Sequence, residues 1–164
     1  MEITFEHYVT QLAQSLSASD KPSILLLTCI DYRYAHRIVD LMDSKNLRRK
    51  YDMFALAGAA AGANQERTWR QVLVDHIKVA RSIGHAIDRI IILEHRDCGA
   101  YKKFFGLEWA KVLPPVEMDK HLEQVRILSG YLKEVFEKEP VTIDSFLLAR
   151  DEDDVLEVEE HKLS

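Results

Sequence analysis

The sequence contains only two cysteines, Cys29 and Cys98, and they do not form a CxxC pair. Two cysteines cannot build the disulfide framework of a small secreted protein, whereas intracellular cysteines more often bind metal or take part in catalysis. The chain also lacks an apolar run of the roughly 18 to 20 residues that a membrane span needs, and its N-terminus lacks a basic segment followed by an apolar core. We therefore expect a cytoplasmic protein without a membrane span.

Basic clusters and nucleotide-binding glycine loops are also missing. The chain carries 22 Lys and Arg residues against 27 Asp and Glu residues, and its longest basic cluster is Arg48-Arg49-Lys50. A nucleic-acid binder needs a basic face, so this composition argues against one. The small-residue stretch from Gly58 to Ala63 matches neither the dinucleotide fingerprint nor the phosphate loop. Two interpretations stay open for it: a loop whose N–H groups approach an anion or substrate, or close packing of a strand against the next helix.

Strands alternate with helices along the chain, and this pattern predicts an α/β fold. Apolar runs predict strands over residues 23–29, 51–57, 87–93 and 141–148. Amphipathic patterns predict helices over residues 3–16, 66–84 and 117–138, another helix that ends near Asn46, and a short helix within residues 100–115. The buried side of helix 66–84 is predicted to carry Trp69, Val72, Leu73, His76, Ile77, Ala80 and Ile83. Because such units require right-handed crossovers, we expect a parallel sheet of about four strands.

The length of the chain fits one domain that covers residues 1–164. Residues 1–20 form an N-terminal helical arm, which packs either on its own sheet or on a partner subunit. Residues 151–164 form an acidic tail that keeps a few apolar residues, so a solvated edge strand and a mobile end both stay open.

Two apolar runs end in residues that bind metals. The first closes with Cys29, and the second, Ile91-Ile92-Leu93-Glu94, leads into His95 and Cys98. Parallel sheets place their ligands at the C-terminal ends of strands, so neighbouring strands would bring these three side chains together. Two thiolates and one imidazole are ligands that zinc prefers, and three protein ligands leave a fourth position for water. The sequence therefore predicts a zinc site formed by Cys29, His95 and Cys98.

Asp31 and Arg33 follow the first cysteine closely enough to control that fourth position. Asp31 could bind the metal itself, or it could accept a hydrogen bond from bound water while Arg33 holds its carboxylate. Other interpretations stay open, namely inert core cysteines, a redox pair, an ordinary buried histidine, or a purely structural zinc. We interpret Asp97 as a turn residue or a hydrogen-bond acceptor near the site, and Arg96 as a surface charge or a substrate-facing cation. His36, His76, His85, His121 and His161 lack metal-like spacing, and we treat them as bystanders.

The motif Cys29-Ile30-Asp31-Tyr32-Arg33, followed later by His95-Arg96-Asp97-Cys98-Gly99, resembles the paired CxDxR and HxxCG motifs of the β-class carbonic anhydrases. The resemblance covers roughly residues 20–150. It implies that Cys29, His95 and Cys98 bind Zn²⁺ and that Asp31 and Arg33 form a catalytic dyad. It also implies a parallel sheet of strand order 2-1-3-4, and an N-terminal helix that embraces the partner of a homodimer or higher homo-oligomer.

The activity that this resemblance implies is reversible hydration of carbon dioxide to bicarbonate by zinc-bound hydroxide, so the protein would be a zinc lyase. Family members build an apolar substrate pocket partly across the dimer interface. The residues that we expect to contact substrate or line the pocket are Gly58, Tyr32, Leu56, Phe104 and Phe105.

The chain departs from the family pattern in two places. Ala55-Leu56-Ala57-Gly58-Ala59 stands where the family usually carries Arg-Asn-Ala-Gly-Gly, and Arg96 stands where a small hydroxyl residue commonly follows the ligand histidine. Both changes leave the expected zinc ligands intact. They keep two further hypotheses open: a diverged zinc hydrolase or lyase acting on another small electrophile, and a non-catalytic zinc-stabilised binding protein.

Overall fold

A computed structural model describes residues 4–16, 21–108 and 111–148, together with the backbone of residues 158–160. Helices and strands alternate along most of the chain. The six helices of the described residues are α1 (Phe5–Ser15), α2 (Tyr32–Ser44), α3 (Ala60–Gln65), α4 (Arg67–Ser82), α5 (Gly99–Phe105) and α6 (Pro114–Val135). The strands are β1 (Ile24–Cys29), β2 (Tyr51–Leu56), β3 (Arg89–His95), β4 (Thr142–Leu148) and β5 (Val158–Glu160). No helix in these ranges is both long enough and apolar enough to cross a bilayer.

The strands form one sheet in the order β2-β1-β3-β4-β5. The first four strands in that order are mutually parallel, which confirms the predicted α/β sheet of order 2-1-3-4. The short β5 pairs antiparallel with β4, so part of the acidic tail lies along the sheet edge, while residues 151–157 and 161–164 fall outside the described residues. Because β1 and β3 are neighbours and parallel, Cys29 and His95 end their strands at the same edge of the sheet.

Alternate residues of the two central strands face opposite layers of helices, as the two-residue period of a strand requires. Leu25, Leu27, Ile90 and Ile92 share one apolar cluster with residues of α4 and α6. Ile24, Leu26, Ile91 and Leu93 share the other with residues of α1 and α2. Both faces are therefore covered, which is why the sequences of β1 and β3 are continuously apolar.

Helix α1 packs on its own sheet, which is one of the two locations left open for the N-terminal helix. Phe5 and Val9 are fully buried against that sheet face. The hydroxyl of Tyr8 donates to the Asp144 carboxylate at 2.6 Å and accepts from Nη1 of Arg89 at 2.9 Å. An embrace of a partner subunit by this helix, which the family resemblance implies, stays a prediction.

Two local expectations differ from the structure. Residues 60–65 form helix α3, so the small-residue stretch is a turn followed by a helix and not a loop throughout. A Cβ on Gly62 would lie 2.2 Å from the carbonyl oxygen of Ala57, so a bare glycine lets α3 pack closely on the end of β2.

The predicted buried side of α4 was also wrong in part. Leu73, Val74 and Ile77 are buried, because the sheet covers only a narrow stripe of this helix. Trp69, Val72, Val79 and Ile83 are 37 to 69% exposed. The apolar surface of α4 is therefore wider than its own sheet can cover.

Candidate metal centre

The two cysteine sulfurs lie 3.9 Å apart at the C-terminal edge of the sheet. Cys29 is the last residue of β1, and Cys98 is the buried residue that precedes α5. Two sulfurs bound tetrahedrally to one zinc ion, each at about 2.3 Å, would be separated by about 3.8 Å. The positions of the two sulfurs therefore already match those of two ligands of one zinc ion.

His95 completes the set, because its ligand nitrogen and the two sulfurs all lie within 4.8 Å of one another. Its Nδ1 is 2.9 Å from the carbonyl oxygen of Arg96, and since a carbonyl only accepts, Nδ1 carries the proton. Nε2 then presents its lone pair to the sulfurs. This atom is buried without a hydrogen-bond partner among the described residues, and a buried polar atom without a partner is costly. A metal ion would supply the missing interaction.

The two sulfurs share a hydrogen bond that lowers the pKa of Cys29. Donation from the Cys98 thiol is the largest cause that lowers the pKa of Cys29; burial opposes it, and interactions with His95 and the Gly58 N–H add to the lowering. The thiolate is the form that binds metal. One of the two sulfurs is therefore held close to the state that zinc requires.

Asp31 and Arg33 form a two-pronged ion pair beside these ligands. Nε of Arg33 donates to Oδ1 of Asp31 at 2.9 Å, and Nη2 donates to Oδ2 at 2.7 Å. Asp31 is also the N-cap of α2 and accepts from the Arg33 backbone N–H at 3.0 Å. These hydrogen bonds from Arg33 lower the pKa of Asp31. Oδ2 lies 3.7 Å from Nε2 of His95, so the carboxylate lies beside the metal ligands while it remains bound to Arg33.

The loop between His95 and Cys98 is fixed from two sides. Asp97 has a positive φ of 57°, and its carbonyl accepts from Nη2 of Arg33 at 3.3 Å. On the other side, Oε1 of the buried Glu117 accepts from the backbone N–H of Asp97 at 2.6 Å, and Oε2 lies 3.3 Å from Nη1 of Arg96. Nη1 of Arg96 also donates to the carbonyl oxygen of Pro114 at 3.1 Å, so the Arg96 side chain is paired with the start of α6.

The turn after β2 supports Cys29. The backbone N–H of Gly58 donates to the Cys29 sulfur at 3.3 Å. Gly58 has a φ of +75°, and a Cβ added there would lie 2.9 Å from the Cβ of Ala100 in the first turn of α5. Glycine is needed here for both reasons, and its proximity to both cysteine-bearing segments places Gly58 beside the metal ligands.

A buried polar pair lies behind the site and had not been expected from the sequence. Glu94, on the face of β3 opposite His95, accepts from the Ala60 N–H at 2.8 Å and lies 3.0 Å from Nδ1 of His121. Both side chains are about 2% exposed. Sequence spacing alone predicts His121 to be a bystander, whereas its buried contact with Glu94 connects it to the strand that ends at His95. The one sequence signal was a glutamate within an apolar strand.

The expected pocket residues are not all close to the sulfurs. Leu56 pairs in register with Cys29, and Phe104 and Phe105 pack against an apolar cluster that includes Cys98. Tyr32 is 85% exposed, so within this chain it does not line an enclosed pocket.

The donor set, the sulfur separation and the partnerless nitrogen all fit zinc, so the residues present suit the metal. Structural zinc sites have four protein ligands, whereas catalytic sites have three. Among the described residues, one cluster of Cys, His, Asp and Glu could hold a metal ion, and it has three members. This part of the chain therefore offers three candidate ligands, and Arg33 holds the Asp31 carboxylate beside them.

Comparison with known sequences gives a family and two similar bacterial proteins. The model of a family described as "Putative carbonic anhydrase" matches residues 19–144. An uncharacterized protein of Rickettsia bellii is 30% identical over 153 residues, which cover 92% of this chain and 86% of that protein. An uncharacterized protein of Rickettsia conorii is 33% identical over 110 residues, which cover 66% of this chain and 54% of that protein.

Among solved structures, the chain is similar to the β-carbonic anhydrase CafA of the fungus Aspergillus fumigatus. The TM-score is 0.49 at 14% sequence identity, and the match covers 94% of this chain and 82% of that one.

Proposed function

Since the chain belongs to the family described as "Putative carbonic anhydrase", we propose that it is a zinc lyase that interconverts carbon dioxide and bicarbonate. One observation carries the proposal. Three ligand atoms from Cys29, His95 and Cys98 lie within 4.8 Å of one another, beside an aspartate that an arginine holds in place. The family match and the geometry of the residues both support this activity.

Cys29, His95 and Cys98 would hold the zinc ion. When bound, zinc supplies Lewis acidity that lowers the pKa of a coordinated water to near 7. Hydration consumes a water and releases a proton. Asp31 lies near the ligand atoms and accepts hydrogen bonds, so its carboxylate can orient that water and accept a hydrogen bond from it.

Arg33 keeps Asp31 available for this role. Its two bonds to the carboxylate lower the pKa of Asp31, so the group stays ionised at neutral pH. They also engage both oxygens, which holds the carboxylate away from direct metal binding. Asp97 adds a further contact, because its carboxylate lies 3.5 Å from Nη1 of Arg33.

The surroundings of the sulfurs suit a small apolar substrate. Cys29 packs against a cluster that contains Ala61, Cys98 and Tyr101, with Phe104 and Phe105 at its margin. Carbon dioxide is uncharged and needs few polar partners, so we assign Leu56 and these two phenylalanines as the most suitable walls. A reducing compartment keeps both sulfurs available as ligands, and we propose that the protein works in the cytoplasm.

We also propose that the protein forms a homodimer. The support is the exposed apolar stripe on α4, formed by Trp69, Val72, Val79 and Ile83. These residues recur at spacings of three, four and seven, which place them on one side of a helix. A second copy of this chain presenting the same stripe would cover it, and sedimentation of the purified protein would show whether it does.

Metal analysis and stopped-flow kinetics test the proposed activity. The purified chain should carry about one zinc ion and should hydrate carbon dioxide above the buffer rate. Asp31→Ala should keep its zinc and lose activity by about 100-fold or more. The matched control is Asp144→Ala, which also removes a carboxylate paired with an arginine, in this case far from the metal ligands. Zinc without any hydration from about pH 6 to 9 would favour the diverged enzyme, and a chain that binds no zinc would refute the proposal.

A further inference from the structure

The side chain of Glu94 is buried between the sheet and its covering helices, one residue before the ligand His95. It is 2% exposed, within a strand whose other central residues are Ile and Leu. A buried carboxyl group is costly unless its oxygens are hydrogen-bonded. Both of its oxygens have partners here, and these partners belong to two different helices.

The first oxygen fixes the turn that supports Cys29. Oε1 accepts from the N–H of Ala60, the first residue of α3, at 2.8 Å. Two residues earlier, the N–H of Gly58 donates to the Cys29 sulfur at 3.3 Å. Between them, Ala59 has a φ of +41° and a ψ of −105°, a conformation that a non-glycine residue holds only when its surroundings impose it. Glu94 is the side chain that anchors this strained turn.

The second oxygen fixes Glu94 itself. Oε2 lies 3.0 Å from Nδ1 of His121 on α6, and the ring of His121 lies 4.0 Å from the ring of the buried Tyr101 on α5. The carboxyl group is thus fixed to α6 on one side and to the first turn of α3 on the other. A shift of its position would be passed through Ala60 to Gly58.

We propose that Glu94 is a positioning residue that holds the Gly58 N–H on the Cys29 sulfur and so sets the strength of that sulfur as a zinc ligand. The inference rests on the zinc site proposed above. Residues that orient metal ligands without touching the metal commonly change metal affinity 10- to 100-fold when they are replaced. Here the effect would pass through a backbone turn to a thiolate.

Two substitutions at Glu94 and one matched control test the inference. Glu94→Leu keeps most of the volume and removes both acceptor oxygens, whereas Glu94→Gln keeps a single acceptor. The control is Asn64→Ala, because Asn64 also joins α3 to α6, and its side-chain bonds of 2.8 and 3.1 Å lead to Gln124. Each variant is compared with the wild-type chain in zinc affinity, by chelator competition, and in the thiolate-to-metal charge-transfer band of the cobalt-substituted protein.

Glu94→Leu should raise the zinc dissociation constant roughly 10- to 100-fold and displace the charge-transfer band, with a smaller change of the same sign in Glu94→Gln. Asn64→Ala should lower stability to urea while zinc affinity and the band stay at their wild-type values. If Glu94→Leu does not fold, Glu94→Gln decides, since an unchanged band there overturns the inference. Equal losses in Glu94→Leu and Asn64→Ala would also overturn it, because they would show a general packing effect. A wild-type chain that binds neither zinc nor cobalt would instead refute the proposed function.

Discussion

Gly58 and Ala100 form a contact whose energy can be predicted from the structure. The turn after β2, which supports Cys29, meets the first turn of α5 here. Helix α5 begins directly after Cys98. Alanine at position 58 would have to hold a φ of +75°, which costs roughly 1 to 2 kcal/mol. Its Cβ would also lie 2.9 Å from the Cβ of Ala100, and such overpacking costs about 1 to 3 kcal/mol. Gly58→Ala should therefore destabilise the chain by about 2 to 5 kcal/mol.

A double-mutant cycle separates the two costs. Ala100→Gly alone should cost about 0.5 to 1 kcal/mol, because it places a glycine in a helix. In the double variant the overlap is gone and the backbone strain remains, so the double variant should be about 1 to 3 kcal/mol more stable than the sum of the single effects predicts. Urea unfolding of the zinc-loaded proteins measures all four free energies. A coupling energy below about 0.5 kcal/mol would show that the two segments do not meet as described.

Three further predictions concern stability. Gly130→Ala should stabilise the chain by about 0.5 to 1 kcal/mol, because nothing lies within 4 Å of the added Cβ in α6. Gly62→Ala should instead destabilise the chain by about 1 to 3 kcal/mol or more. Urea midpoints of the two variants that move in the same direction would contradict the packing of α3. Burial is the largest cause that raises the pKa of Tyr8. The neutral Tyr8 phenol therefore stabilises the fold fully below about pH 10, where unfolded tyrosine begins to ionise, and this contribution is lost at higher pH. The stability advantage of wild type over Tyr8→Phe should therefore shrink as the pH rises from about 10 to 11, by less than 1.4 kcal/mol per pH unit since the phenol is partly exposed. A constant difference would contradict the burial of the phenol and its contact with Asp144. At a free zinc concentration 100 times the dissociation constant, bound zinc should raise the unfolding free energy by about 2.7 kcal/mol, and a chelator should remove that increment. An unchanged unfolding transition after the chelator is added would mean that no metal binds the folded state.

The fold and the candidate metal ligands followed from local sequence patterns. Continuous apolar runs predicted buried parallel strands, and the position of Cys29 and His95 at the ends of two such runs predicted that their side chains meet. The structure confirms the parallel sheet and a Cys–His–Cys cluster close enough to bind a metal ion. Such features can be predicted because each depends on the period of one segment and on the general geometry of parallel sheets.

Side-chain contacts between distant segments that do not follow from strand pairing could not be predicted. Helix α3 begins after Ala59, which has a φ of +41°, and the N–H of the next residue, Ala60, donates to the buried Glu94. Nothing near Ala59 in the sequence indicates that contact. The pairing of Glu94 with His121 joins a strand to a helix much later in the chain. The exposed side of α4 was misassigned for a related reason, since an apolar stripe alone does not show how much of it the sheet covers.

X-ray absorption at the zinc edge of the purified protein tests the central claim most directly. The account predicts zinc with two sulfur neighbours at about 2.3 Å and one histidine nitrogen at about 2.0 to 2.1 Å, and the loss of one sulfur neighbour in Cys98→Ser. Zinc surrounded only by nitrogen and oxygen, or a protein that retains no zinc, would contradict it.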